Sequence, residues 1–241
     1  MAGWLRTRAI VLSAPTIGRS TTIARDSAIR PDEILNPGQI RQLIDAAKPG
    51  VARTLFTLAA ATGAREGELL GLRWQDVVFD GPRPHLAIRQ SIAWAKGPTD
   101  AKTTFHFGPP KTKAGRRDIP IDPALVRMLK EWKLQKLLQR NEFDLLFATS
   151  GKPVRRSAMF KAAFWPALKR AGLPHVKFHS LRHSFASRLI QLGRPVTEVA
   201  HLLGHWNPGI TLKVYAHWFK NETSDAISVL SAELFAVGID T

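Results

Sequence analysis

Six side chains of this sequence are of types that can move a phosphoryl group between oxygens: Arg65, Lys111, His179, Arg182, His205 and Tyr215. They occur in that order, and Tyr215 is the only tyrosine in 241 residues. Two guanidiniums can neutralise a phosphate as its charge redistributes toward a pentavalent transition state. A phenol with an ordinary pKa near ~10 needs help to attack at neutral pH, and a histidine within hydrogen-bond reach can provide it. A lysine can protonate the leaving 5′-oxygen. Such a set is what phosphodiester chemistry without a metal would require, so no metal cofactor is expected.

Taken singly, each of these residues has an ordinary explanation. "ITLKVYAHW" has the apolar spacing of a packed helix, in which Ile210, Leu212 and Val214 are expected to anchor the chain while Tyr215 faces a basic pocket. His179 and Arg182 share a helix face in "FHSLRHSFASRLIQLG", where Leu181, Phe185, Leu189 and Leu192 supply the buried side. Glu68, three residues after Arg65, can orient that guanidinium. The lysines of "PPKTKAGRRDIPI" read as the arm and tip of a hairpin, where any exposed turn also carries lysine.

Other chemistries are excluded. The sequence has no cysteine, which removes disulfides, thiolate nucleophiles and Cys-rich zinc sites and suits a reducing compartment, cytosol or nucleoid. The pairs His179/His183 and His201/His205 are four apart, but the zinc-protease pattern needs Glu after the first His, and Ser180 and Leu202 stand there. No metal is therefore expected. There is no Walker-type phosphate loop and no GxSxG. The excess of 35 Lys and Arg over 19 Asp and Glu, a net charge of +16, favours a polyanionic partner, most simply nucleic acid, over a membrane surface.

The elements that must hold these residues are mainly helical. Residues 1–35 read as a basic arm or linker carrying Arg6, Arg8, Arg19, Arg25 and Arg30. Asn36 and Pro37 predict a helix start, and a second helix over "VARTLFTLAAAT" is stopped by Gly63. Segments 77–79, 85–93 and either 104–107 or 116–121 predict a small antiparallel sheet of about three strands. Helices are then expected after Asp122 and over 155–171, 180–192, 195–203, 207–218 and 223–236. The fold class is α+β and mainly α-helical, with the small sheet inserted after the first helices.

Together, "TGAREGELLGLRW", "PKTKAGRRDIPI", "HSLRHSFAS" and "LLGHWNPGITLKVYAH" resemble, in order and spacing, the motifs of the tyrosine recombinase or phage integrase family, catalytic domain. The resemblance covers about residues 36–220. It implies that Arg65 and Arg182 bind the scissile phosphate of double-stranded DNA and that Lys111 is the general acid, with Lys113 as the alternative. It further implies that His179 assists proton transfer, His205 bonds the phosphate, Glu68 supports Arg65, and Tyr215 forms a 3′-phosphotyrosyl link. Resealing by a free 5′-hydroxyl then needs no ATP.

Lys113, Arg116, Arg117 and the five arginines of the arm are the expected DNA contacts beyond the catalytic set. Residues 36–222 are read as the catalytic domain, and residues 223–241 as a C-terminal helix or tail that can dock on another protomer in a synaptic complex. Without DNA the chain is expected to be a monomer. About 35 residues precede the catalytic region, too few for the DNA-gripping domain usual in that family, so a truncated form or an isolated catalytic part is expected. The competing readings are a DNA-binding regulator or relic without activity, a type IB topoisomerase, and a basic helical adaptor.

Overall fold

The computed structural model describes residues 31–95, 104–137, 139, 141–218 and 230–231. The arm arginines Arg6, Arg8, Arg19, Arg25 and Arg30, and nearly all of the expected tail helix, lie outside the described residues.

The chain enters the core through α1 (Pro37–Ala46), started by a reciprocal cap in which Asn36 Oδ1 accepts from the Gln39 amide and Gln39 Oε1 from the Asn36 amide, both at 2.9 Å. Helix α2 (Val51–Thr62) follows and buries Leu55, Phe56, Leu58 and Ala59. It ends at Gly63, whose φ of +59° is left-handed. A Cβ there would collide with the Phe185 ring, so Gly63→Ala is expected to destabilise the protein by about 2–4 kcal/mol through backbone strain and overpacking. The midpoint of a urea titration measures this, and an unchanged midpoint would refute it.

Helix α3 (Glu66–Leu70) leads into two short ladders rather than one continuous sheet. β1 (Val77–Val78), β2 (His85–Ile88) and β5 (Arg117–Pro120) form an antiparallel sheet in the order β1-β2-β5. Among the described residues, β3 (Ser91–Ala95) and β4 (Thr104–Gly108) pair only with each other. Of the two expected third strands, 116–121 is therefore the one that joins the sheet. The expected 85–93 strand breaks at Arg89–Gln90, where the Gln90 side chain donates to Gly71 O at 2.6 Å and the chain changes ladders. The lysine-bearing stretch consequently connects two ladders instead of forming the tip of one hairpin, because β4 and β5 have different partners.

Helix α4 (Pro123–Lys136) is capped by Asp122, which accepts from the Leu125 amide at 2.8 Å, and it anchors itself through buried Leu129 and Trp132. After the small ladder of β6 (Ala148–Thr149) and β7 (Lys152–Pro153) comes a helical run: α5 (Arg156–Met159), a π-helical turn (Phe160–Phe164) and α6 (Trp165–Arg170). The π turn stands just before Pro166, which lacks the N–H that a continuing α-helix would need. Phe56, Phe164 and Phe178 form an aromatic knot with centroids 5.2–6.0 Å apart. Helices α7 (Ser180–Gln191), α8 (Val196–Leu203) and α9 (Pro208–Tyr215) complete the described fold, and α7 lies against α2.

Two helix faces differ from expectation. In α7 only Leu181 of the four expected apolar residues is fully buried, and Leu192 is 58% exposed. Small polar Ser180, Ser184 and Ser187 are buried instead, with the Ser187 hydroxyl donating to His183 O at 2.9 Å. In α9 the buried positions are Thr211 and Tyr215, while Leu212 is 46% exposed. Among the described residues no helix is long and apolar enough to cross a membrane.

Candidate active site

Arg65 stands at the N-cap of α3, directly after the Gly63–Ala64 turn. Glu68 Oε2 accepts from its backbone N–H and Oε1 from its Nη1, both at 2.9 Å. Nη2 reaches the Gly204 carbonyl at 3.3 Å. These bonds fix the guanidinium, yet its side chain keeps 34% exposure, so it remains able to meet a ligand. Among the described residues, three of its five N–H donors are uncommitted.

Arg182 is set deeper, at 4% exposure, in the first turn of α7. Nη1 donates to Gly63 O and Nη2 to Leu203 O, each at 2.7 Å, and Nη2 also lies 3.1 Å from His205 Nε2. Because a guanidinium only donates, His205 Nε2 is the acceptor, and neutral His205 carries its hydrogen on Nδ1, 2.8 Å from Thr211 Oγ1. The turn that ends α8 thus offers successive groups to both arginines: Leu203 O to Arg182, Gly204 O to Arg65 and the His205 ring to Arg182. Arg65, Glu68, Arg182 and His205 form one connected network.

Tyr215 does not open onto that network as expected. It is 1% exposed and packs with Ala186, Ile190, Val199 and Leu203 in a small second core. Its hydroxyl lies 2.8 Å from Nδ1 of His183, the residue next to Arg182, and shares a hydrogen bond with it. His183 stood out from the sequence only as half of a metal pair, although its position in "LRHS" was a signal that it sits one step from Arg182. Thr211 was also missed, and its spacing of four from Tyr215 is what puts both on the buried face of α9. His179 is exposed at the N-cap of α7, its ring edge-on to His183 at 4.6 Å between centroids. Among the described residues no group of three or more His, Cys, Asp or Glu is placed to hold a metal ion.

Lys111, Lys113 and Arg116 are exposed on the stretch linking β4 to β5, outside the hydrogen-bonded network. Arg117 requires a correction. Read from sequence as a DNA contact, its side chain is 1% exposed and ion-paired with Glu68 at 3.0 Å, because the alternation of β5 turns it inward beside Ile119.

The site concentrates positive charge around one acid. Burial alone would raise the Glu68 carboxyl, but Arg117, with Arg65 behind it, holds it below the ordinary carboxylate value. Burial brings Arg182 down to about 9, with the Arg65 charge adding to it. Burial pushes the Tyr215 phenol up to about 12 against the pull of Arg182. Burial and then Arg182 lower His183 to about 4, and burial followed by Arg182, Arg65 and Arg117 takes His205 to about 3. His179, though partly exposed, loses water to the protein around it and is crowded by His183, Arg182 and Arg65, which brings it to about 3.

These shifts make a signed prediction. The unfolded histidines take up protons near their ordinary 6.5, while the folded ones refuse them until about 3 to 4. Between those values the unfolded state binds more protons, so stability is full above about 6.5 and falls as pH drops toward 4. The urea midpoint is expected to be lower at pH 5 than at pH 7; equal midpoints would contradict the neutral cluster.

The network bears on what the chain resembles. The Phage integrase family model matches residues 33–222. A protein described as tyrosine recombinase XerC-like, from Caldanaerobacter subterraneus subsp. tengcongensis, is 34% identical over 213 residues, covering 83% of this chain and 54% of that protein. The ICEBs1 integrase of Bacillus subtilis is 28% identical over 180 residues, covering 72% of this chain and 46% of that protein. This chain thus spans about half the length of the relatives it matches. Among solved structures, the Tn1549 transposon integrase in complex with circular intermediate DNA superposes with a TM-score of 0.64 at 20% identity, over 87% of this chain and 69% of that one. The XerH site-specific recombinase bound to a palindromic difH substrate gives 0.59 at 22%, over 84% and 54%. The fold is that of these catalytic regions, and with the family model covering most of its length, the chain belongs to the phage integrase family of tyrosine recombinases.

Proposed function

We propose that this chain is the catalytic region of a site-specific DNA recombinase that cuts and rejoins strands without metal or ATP. Tyr215 Oη attacks the scissile phosphorus as its proton passes to the histidines beside it, His183 Nδ1 at 2.8 Å and His179 against that ring, and forms a 3′-phosphotyrosyl bond. The bond to the 5′-oxygen breaks, and Lys111, or Lys113 from the same stretch, gives that oxygen a proton. Arg65, Arg182 and His205 hold the non-bridging oxygens as charge builds on them. A second strand's 5′-hydroxyl reverses the step. The observation that carries this reading is the convergence of Arg65, Arg182 and His205 on the Leu203–His205 turn, with the only tyrosine bonded to the residue beside Arg182.

The partners follow from the chemistry: duplex DNA beneath the cationic cluster, and other protomers when two duplexes are exchanged. Relatives include integrases of a prophage and of a phage, Escherichia coli IntR and that of Salmonella phage P22, so a mobile element is the natural setting and the nucleoid the place of work. The direct test is a nicked suicide duplex carrying the element's own attachment site. A covalent adduct on a denaturing gel is the expected result; salt-dependent DNA binding with no adduct on any duplex would instead favour a regulator. Light scattering is expected to show a monomer without DNA, and a tight DNA-free oligomer would remove that part of the reading.

A further inference from the structure

Arg117 is a buried cation to which the proposed chemistry gives no task. All three of its nitrogens are engaged: Nε donates to Leu202 O at 2.7 Å, Nη1 to Gly115 O at 3.0 Å, and Nη2 to Glu68 Oε2 at 3.0 Å. Those acceptors belong to three separate parts of the fold. Leu202 lies in the last turn of α8, just before Gly204 and His205; Gly115 ends the turn that begins at Lys113, two residues after Lys111; Glu68 holds Arg65. The packing is close, since a Cβ on Gly204, whose φ is +66°, would lie 2.8 Å from Arg117 Nη1 and 3.0 Å from Ala114 O.

We propose that Arg117 is a positioning residue that locks Arg65, the α8–His205 turn and the lysine-bearing stretch into a single catalytic geometry. This rests on the recombinase reading above. Arg117 never meets DNA. Its planar fork spans acceptors on different elements, which a flexible ammonium cannot do, so Lys at this position keeps the charge and loses the geometry. Without the fork, Glu68 is a buried carboxylate held from one side only, and the lysine-bearing stretch loses its tie to α8. A misplacement of about 1 Å at such a site costs on the order of 10²-fold in rate.

The test uses Arg117→Lys, with Arg117→Met as the harsher variant. On a nicked duplex that the wild-type protein cleaves, single-turnover adduct formation is expected to fall about 10²-fold while DNA affinity barely changes. If Arg117 acts through Arg65, the two losses overlap: in an Arg65→Ala background, Arg117→Lys should cost less than about 2-fold further. Full additivity would overturn the proposal, as would unchanged cleavage. A DNA-free readout separates this from the recombinase reading. Brief trypsin treatment below the melting temperature should cut after Lys111 and Lys113 several-fold faster in Arg117→Lys than in wild type. Equal cutting refutes the proposal whatever the DNA chemistry shows. Faster cutting in a protein whose wild type forms no adduct sinks the recombinase reading and leaves the anchoring role of Arg117 standing.

Discussion

Tyr215→Phe is expected to abolish the covalent protein–DNA adduct completely while leaving a folded, DNA-binding protein. The substitution removes one oxygen and keeps the ring, which stays packed with Ala186, Ile190, Val199 and Leu203. Among the described residues the hydroxyl bonds to His183 alone, so its loss costs about 1–2 kcal/mol and a modest fall in melting temperature. The chemical loss is total because Tyr215 is the only tyrosine in the sequence and no cysteine can replace it. An adduct that persists in Tyr215→Phe would mean a serine or threonine nucleophile and a different mechanism.

The environment of that hydroxyl sharpens the expectation. With the phenol pushed up to about 12 and His183 held near 4, the proton belongs to the tyrosine at neutral pH. In this state Tyr215 is protonated, buried and bonded away from the arginine network. Attack on a phosphate requires the hydroxyl to leave His183 or the surrounding groups to take its proton as the phosphate arrives.

Arg182→Ala is expected to produce the largest combined loss, in both stability and cleavage. Gly63 O and Leu203 O each lose a 2.7 Å donor in a buried setting, at about 1–3 kcal/mol apiece, and a large side-chain volume empties. Against a typical domain stability of about 5–15 kcal/mol this is severe. Arg182→Lys separates the two effects. It keeps the charge and most of the volume, so the protein is expected to fold, but one ammonium cannot serve Gly63 O, Leu203 O, His205 and a phosphate together. Adduct formation should fall about 10²–10³-fold, the scale of losing a preorganised donor to a developing oxyanion. Near-wild-type single-turnover cleavage by folded Arg182→Lys would show that the buried guanidinium serves only the fold.

The helices were legible because their end signals are local. Asn36 with Pro37, Gly63 and Asp122 act within a turn of themselves, and the structure uses them as helix boundaries. The sheet was less legible because strand partners are chosen at a distance. Nothing within 85–93 announces that its two halves pair with β5 and β4 respectively, since that choice depends on which strand arrives beside each. The inward turn of Arg117 is of the same kind: a basic residue reads as solvent-facing until a buried acid from another element stands opposite it.

The sequence by itself determined the residue types available: two arginines, histidines, lysines in a turn, one tyrosine, no cysteine, in an order and spacing that resemble one family's motifs. Tertiary structure alone decided how those groups are held. It placed the Leu203–His205 turn between both arginines, gave Arg117 to Glu68 instead of to solvent, and paired Tyr215 with His183 inside a small apolar core. The physical reason is that residue types and local propensities are written along the chain, whereas burial, hydrogen-bond partners and the pKa values they set arise from contacts between distant positions, such as the 139 that separate Arg65 from Gly204.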